Sequence, residues 1–256
     1  MELLTSFLVE WDRFLLLLAR FSGISFIPVF NTRNIPVQWR IAFLMLITLF
    51  AWVMGLAGPV PAYWSLSVYA LTLLTEMFTG IALALIIQFF FAGIQLAGQL
   101  IDTQMGFGIM NVVDPLSGTQ APILGNFKFV LAILVFLQID GHHQFIKALF
   151  DSYESFPIGQ SFLFSPHFMQ TYLAYFGNIF IIGCKLSMPI VGTLLVTDFV
   201  LGIMARTVPQ MNIFMVGMPA KILIGFFVLL VTLPLFIYLL NTSFGEMINK
   251  IYNLIR

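Results

Sequence analysis

The sequence predicts an all-α membrane protein of about six hydrophobic, proline-kinked helices. Three observations carry that reading. Sixty per cent of the 256 residues are hydrophobic and 9% are charged, against about 45–50% apolar and about 25% charged in ordinary soluble domains. Mean hydropathy is +1.01. Uncharged stretches run from Ile41 to Thr75, Met77 to Ile101, Ser155 to Cys184 (one His inside) and Ile222 to Gly245. About 20 apolar residues, rising about 1.5 Å each, cross a hydrocarbon core of ~30 Å.

The same composition excludes several classes. So few charges could not keep a soluble chain of this length dispersed. Eleven Lys+Arg balance eleven Asp+Glu, leaving no basic excess to neutralise phosphates in a nucleic acid. The single cysteine, Cys184, cannot close an internal disulfide, and no CxxC pair or zinc spacing is present. Glu2, Glu10 and Asp12 stand where a signal peptide would be basic, so the first apolar segment is expected to stay in the mature protein.

Taken in order, spans are expected near residues 13–30, 41–58, 68–98, 127–140, 171–197 and 213–241. The fourth is short and fits a buried or re-entrant helix. Gly58-Pro59-Val60-Pro61 separates the second span from the third, because Pro-Gly clusters break regular structure. Pro157 and Pro166 bracket a polar loop. Pro189 and Pro234 fall inside predicted spans and imply kinks. Arg13, Arg20, Glu76, Lys185, Asp198 and Lys221 sit inside or at the ends of spans. An unpaired charge in lipid costs at least ~2.5–3.5 kcal/mol, so each must face protein, water or headgroups. Glu76 is the deepest, and its partner is expected on another helix or another chain.

Arg33 and Arg40 place the first loop in the cytoplasm and the N-terminus outside, while Lys250 and Arg256 favour a cytoplasmic C-terminus. Six full spans would put both termini on one side. Either one segment does not cross, or the helices do not sit as simple spans.

Two stretches stand out as candidate sites. Residues 98–125 are too long and apolar for an ordinary connecting loop. Gly106, Gly108 and Gly118 alternate with Met105, Phe107, Ile109, Met110, Val112 and Val113. Irregular backbone at membrane depth must be buried in protein or line a water cavity, so this segment is either a plug or an interfacial loop packed on its own subunit. In the second stretch, Asp198, Gly202 and Arg206 share a helix face at i, i+4, i+8, and Gly202 leaves room for another backbone. Met204, Met211, Met215 and Met218 add an adaptable apolar surface. On spacing alone, ordinary helix packing is the better explanation of this face.

Other chemistry is thin. Adjacent histidines in Asp140-Gly141-His142-His143 should point apart on a helix, and no further ligands are spaced to help, so no metal site is expected. No GxSxG, HExxH, P-loop or GxGxxG occurs. No cofactor and no catalytic residues are expected.

One set of residues resembles a known family. Gln99-Leu100-Ile101-Asp102-Thr103-Gln104-Met105-Gly106-Phe107-Gly108 followed by Asp114-Pro115 is similar to the signature of the flagellar branch of the FliR/SctT family of type III secretion export-gate proteins. Pro36-Val37-Gln38-Trp39-Arg40, Asp140-Gly141-His142-His143, and Pro209-Gln210-Met211-Asn212-Ile213-Phe214 with Gly217-Met218-Pro219-Ala220-Lys221 match in family order over nearly the whole chain. The resemblance implies a single domain, with residues 1–62 as a FliQ-like hairpin and 63–256 as a FliP-like part, embedded in a tilted hetero-oligomeric ring. It implies an inner-membrane gate at the flagellar basal body, assembled with FliP and FliQ, for unfolded flagellar subunits. Energy would reach it through FlhA and FlhB. It also implies a gate plug near 105–122, containing Met105, Gly106, Phe107, Gly108, Ile109, Met110, Asp114 and Pro115. Glu76, Asp198, Gly202, Arg206, Met211 and Lys221 would serve packing and assembly.

Two other classes compete with an export gate. A small-solute or ion transporter would bury charges such as Glu76 near the midplane around broken helices. An intramembrane enzyme would need a nucleophile with a base in reach, and the paired histidines lack one.

Overall fold

The computed structural model describes residues 2–31, 35–56, 65–107, 122–160, 168–208, 210 and 212–255. Among these, the chain is helical throughout, without strands. The elements are α1 (Glu2–Phe21), a short 3-10 turn (Ser22–Phe26), α2 (Val37–Val53), α3 (Leu66–Met105), α4 (Ile123–Gln138), α5 (Gly141–Ser155), α6 (Phe168–Thr207) and α7 (Ile213–Ile255). The all-α class therefore holds.

Among the described residues, three helices are long and apolar enough to cross a membrane: α3, α6 from Tyr172 and α7 from Met215. The pair α4 and α5, bent by 62° at the break, would make a fourth as one broken span. The six expected spans are thus not six crossing helices. The first ends at Phe21 and tightens into the 3-10 turn, and α2 has 17 residues. The long helices exceed one bilayer: α3 and α6 have 40 residues and α7 has 43, or roughly 60 Å at about 1.5 Å per residue. Pro189 lies within α6, and Pro219 and Pro234 within α7.

The chain forms two compact units, each assembled from separated stretches. The first comprises residues 1–89, 136–176 and 244–256, and the second 90–135 and 177–243. Residues 1–62, expected from the resemblance to form a FliQ-like hairpin, fall within the first. Apolar contact alone does not hold helices together in lipid, because acyl chains are as apolar as leucine; close backbone approach and polar pairs must do so.

The first unit shows this directly. A Cβ at Gly23 would collide with the Gly80 carbonyl, and one at Gly80 with the Arg20 carbonyl. The 3-10 turn and α3 therefore touch backbone to backbone, which only glycine permits. Around this contact Leu16, Leu17, Phe21, Ile24, Leu83, Ile87, Phe145 and Leu149 are buried. The second unit repeats the device, with a Cβ at Gly98 overlapping Gly125 so that α3 crosses α4 at contact distance. Its core is Ile101, Met105, Leu124, Ile190, Leu194 and Leu229.

The most apolar stretch of α3 is 61% buried inside the molecule, but those of α6 and α7 are 28% and 17% buried. Phe180, Met188, Phe199, Phe227 and Leu230 are among the large side chains left outside. These two helices face lipid or partner chains.

Candidate functional site

Each glycine contact carries a carboxylate one helical turn away on α3, and each carboxylate fixes a different geometry. Glu76 precedes Gly80 by four residues, so both lie on one face. Close approach at Gly80 sets Arg20 against Glu76: Arg20 Nε donates to Glu76 Oε2 at 2.6 Å, with both side chains buried, at 0% and 1% exposure. Arg20 Nη1 also donates to the Ser152 carbonyl and to Ser152 Oγ at 3.2 and 3.1 Å. The guanidinium lies 3.9 Å from the centre of the Tyr153 ring. The second Glu76 oxygen accepts the Gly159 N–H at 3.0 Å. Gly159 has φ +87°, a conformation that favours glycine. α1, α3, α5 and the turn after α5 thus meet on one ion pair.

Glu76 therefore has its partner within the chain. The charge that suggested a transporter is ion-paired inside the molecule.

Asp102 follows Gly98 by four residues. Its Oδ1 accepts the Leu124 N–H and its Oδ2 the Gly125 N–H, both at 3.1 Å. α4 begins after Pro122 without a polar side chain of its own at its start, so Asp102 supplies the missing cap from α3 and complements the positive helix terminus. Asp102 also ends α3. Gly106 takes φ +89°, its N–H bonds the Thr103 carbonyl at 3.2 Å, and the Phe107 N–H bonds the Asp102 carbonyl at 3.0 Å. This 6→1 and 5→2 pair is the Schellman stop, which needs a left-handed residue. One residue therefore holds both ends of the intervening chain: its carbonyl holds Phe107 and its carboxylate holds Leu124 and Gly125.

The expected plug residues divide accordingly. Met105 is fully buried in its unit's own core, where it anchors the beginning of the segment. Gly106 is the helix stop, and Phe107 is half-buried against the same core. Gly108, Ile109, Met110, Asp114 and Pro115 lie outside the described residues.

In the second stretch, Asp198 pairs with Lys221 of α7 at 2.7 Å. Arg206 is exposed. Among the described residues, a Cβ at Gly202 would meet nothing within 4 Å, so none of them approaches its backbone closely. Met211 lies outside the described residues.

Asp140 adopts φ 55° at the start of α5, and its Oδ1 lies 3.1 Å from His143 Nδ1. Asp140, His142 and His143 bring ligand atoms within 4.8 Å of one another, closer together than adjacent histidines were expected to come. They sit at a helix N-terminus, whose positive end opposes a cation.

Sequence reasoning missed three things. Asp102 was seen only as part of a motif, although a lone acid ending a long uncharged run, facing a helix that starts without its own cap, is a readable signal. The Gly80 and Gly98 contacts are glycines at i±4 from those acids. Lys128, at the edge of the fourth predicted span, is buried at 4% exposure and was not singled out.

Taken together, the fold and site define a multi-pass helical membrane protein in which Asp102 ties the end of α3 to the start of α4. Residues 11–247 match the family described as bacterial export proteins, family 1, and the chain belongs to that family. Among its relatives, the flagellar biosynthetic protein FliR of Bacillus subtilis (strain 168) is 35% identical over 248 residues, 94% of each chain. The protein of the same name from Escherichia coli (strain K12) is 34% identical over 235 residues, covering 91% of this chain and 88% of its own. That of Aquifex aeolicus (strain VF5) is 30% identical over 236 residues, 90% of each. The chain is a multi-pass membrane component of the flagellar export apparatus.

Proposed function

We propose that this chain forms, with homologues of FliP and FliQ, the inner-membrane channel through which unfolded flagellar subunits leave the cell, and that residues 105–122 close it. The observation that carries the reading is the double hold of Asp102 on Phe107 and Leu124. A seal needs a rigid mount and a compliant centre. The Gly98–Gly125 crossing supplies the mount, and the glycines at 106, 108 and 118 let the segment fold aside. Phe107, Ile109 and Met110 exclude water from the resting channel. Each large apolar side chain contributes ~1.5–3 kcal/mol on burial, so a few of them close the pore and still yield to a passing polypeptide.

Residues 1–62 act as the FliQ-like hairpin and 63–256 as the FliP-like part. The chain works without catalysis and takes its energy through neighbours such as FlhA and FlhB. Asp198, Gly202 and Arg206 face a neighbouring subunit. Co-expression of a tagged chain with FliP and FliQ homologues tests the assembly. The expected result is one complex containing all three; a tagged chain that purifies as a stable monomer beside separate FliP and FliQ contradicts it.

A further inference from the structure

Met105 is the last residue of α3, and the next residues lead into the segment read above as a seal. Its side chain is fully buried and rests on a glycine of α7. A Cβ at Gly225 would lie 2.7 Å from Met105 Cε, 2.8 Å from its Sδ and 3.0 Å from its Cγ, all well inside van der Waals contact. Gly225 is therefore a notch that the methionine fills. The helix stop meets the same helix: a Cβ at Gly106 would lie 3.9 Å from Met218 Cε. Phe107 and Ile222 pack on the core that contains Met105 and Leu229. Met218, Ile222, Gly225 and Leu229 recur at i, i+4, i+7 and i+11, so they form one stripe along α7. That stripe receives the end of α3.

A glycine inside a helix is less favourable than alanine, so the contact it permits matters. At Gly245 of the same helix a Cβ would meet no described residue within 4 Å. At Gly225 it would meet three atoms of one side chain. The end of a methionine is flexible and swings aside where space exists. Met105 is instead packed into one core with Ile101, Leu124, Ile190, Leu194 and Leu229, and the contact reaches back to Cγ, close to the backbone. A side chain added at position 225 displaces Met105 as a whole, and Gly106 follows it directly. The carboxylate of Asp102 joins α3 to α4; Met105 in its notch joins α3 to α7.

We propose that Gly225 is a positioning residue for the seal: by seating Met105 it sets where the segment leaves its mount, and it makes the closed position of the segment depend on α7. The proposal rests on the reading of residues 105–122 as a seal. Gly225 touches neither the exported polypeptide nor the pore. It acts through Met105 alone, which separates it from a glycine that merely lets two helices pack.

The test uses the full chain assembled with FliP and FliQ homologues in cells, and reads inner-membrane ion conductance at measured complex levels. Gly225→Ala should raise conductance several-fold with the complex present. Adding Met105→Val, which removes Sδ and Cε, should abolish most of that increase. Gly245→Ala makes the same change of helix propensity in α7 without the contact, and should leave conductance at the level of the unsubstituted chain. Should Gly225→Ala prevent assembly, Met105→Val is expected to restore it. A tight Gly225→Ala complex, a leak or assembly defect that Met105→Val does not correct, or an equal leak from Gly245→Ala overturns the proposal. Deleting residues 108–116 in parallel separates the two levels. A leak from the deletion with none from Gly225→Ala overturns the notch alone, whereas a tight deletion complex removes the seal on which the notch acts.

Discussion

The two ends of α3 use the same backbone device for opposite purposes. At Gly80 and at Gly98 the helix is stripped to its backbone so that a neighbour can touch it, and a carboxylate one turn away fixes the contact. At the first, Glu76 meets a full countercharge, Arg20, and the neighbourhood is closed by Ser152, Tyr153 and Gly159. At the second, Asp102 meets only amides, those of Leu124 and Gly125. A buried ion pair tolerates no half-measures, because either charge left alone is far costlier than the pair is favourable. A cap is graded, each N–H being worth about 1 kcal/mol. The all-or-none joint is the ion pair that clamps the N-terminal helices, and the graded one is the cap that Asp102 places on α4.

The largest expected effect is steric. Gly80→Leu drives a side chain into the Arg20 backbone and should abolish accumulation of folded chain in membranes. Normal levels on immunoblot would show that the contact is not required. Next, Arg20→Met leaves Glu76 buried without its cation and should destabilise the chain by about 3–5 kcal/mol, read as a lowered Tm of the purified complex. The double variant Arg20→Met with Glu76→Leu should recover most of that loss, because both charges leave together. A double variant no better than the single would mean that Ser152 and Gly159, not the charge, carry the joint. Smaller again, Asp102→Asn exchanges one acceptor for an amide NH2 facing a backbone N–H. It should cost about 1–2 kcal/mol and appear locally, as faster hydrogen exchange at Leu124 and Gly125 with little change elsewhere. If the whole chain exchanges faster, Asp102 is a global clamp like Glu76 and the contrast between the two ends fails.

Much of this was legible in the sequence. The uncharged runs gave the helices, and Pro189 and Pro234 were rightly placed inside them. Glu76 was recognised as a charge that needed a partner. What could not be read was where that partner lay, since Arg20 is 56 residues away and reaches Glu76 only because Gly23 and Gly80 abolish the space between two backbones. Span counting failed at α1 for the same reason: the chain turns at Ser22–Phe26 to make that contact, although its apolar composition continues. The segment after α3 was singled out as a candidate plug by its mixture of glycine and large apolar residues. Pattern alone could not show that Met105 and Gly106 serve its attachment, because a buried methionine and a lumen-facing one look alike in sequence.

The smallest effect expected on the chain itself is at Gly202. No described residue lies within 4 Å of a Cβ there, so Gly202→Leu should leave the stability of the chain unchanged and lower recovery of FliP and FliQ homologues more than Asp198→Asn does. Equal recovery would remove this face from the assembly.

The central claim is that the segment held at both ends by Asp102 is a seal. Deleting residues 108–116 spares Asp102, Gly106 and Leu124, so both attachments remain. In cells carrying the assembled complex, the deletion should leave complex levels normal and raise ion conductance across the inner membrane. Unchanged conductance at normal complex levels would contradict the claim and make the segment a connector.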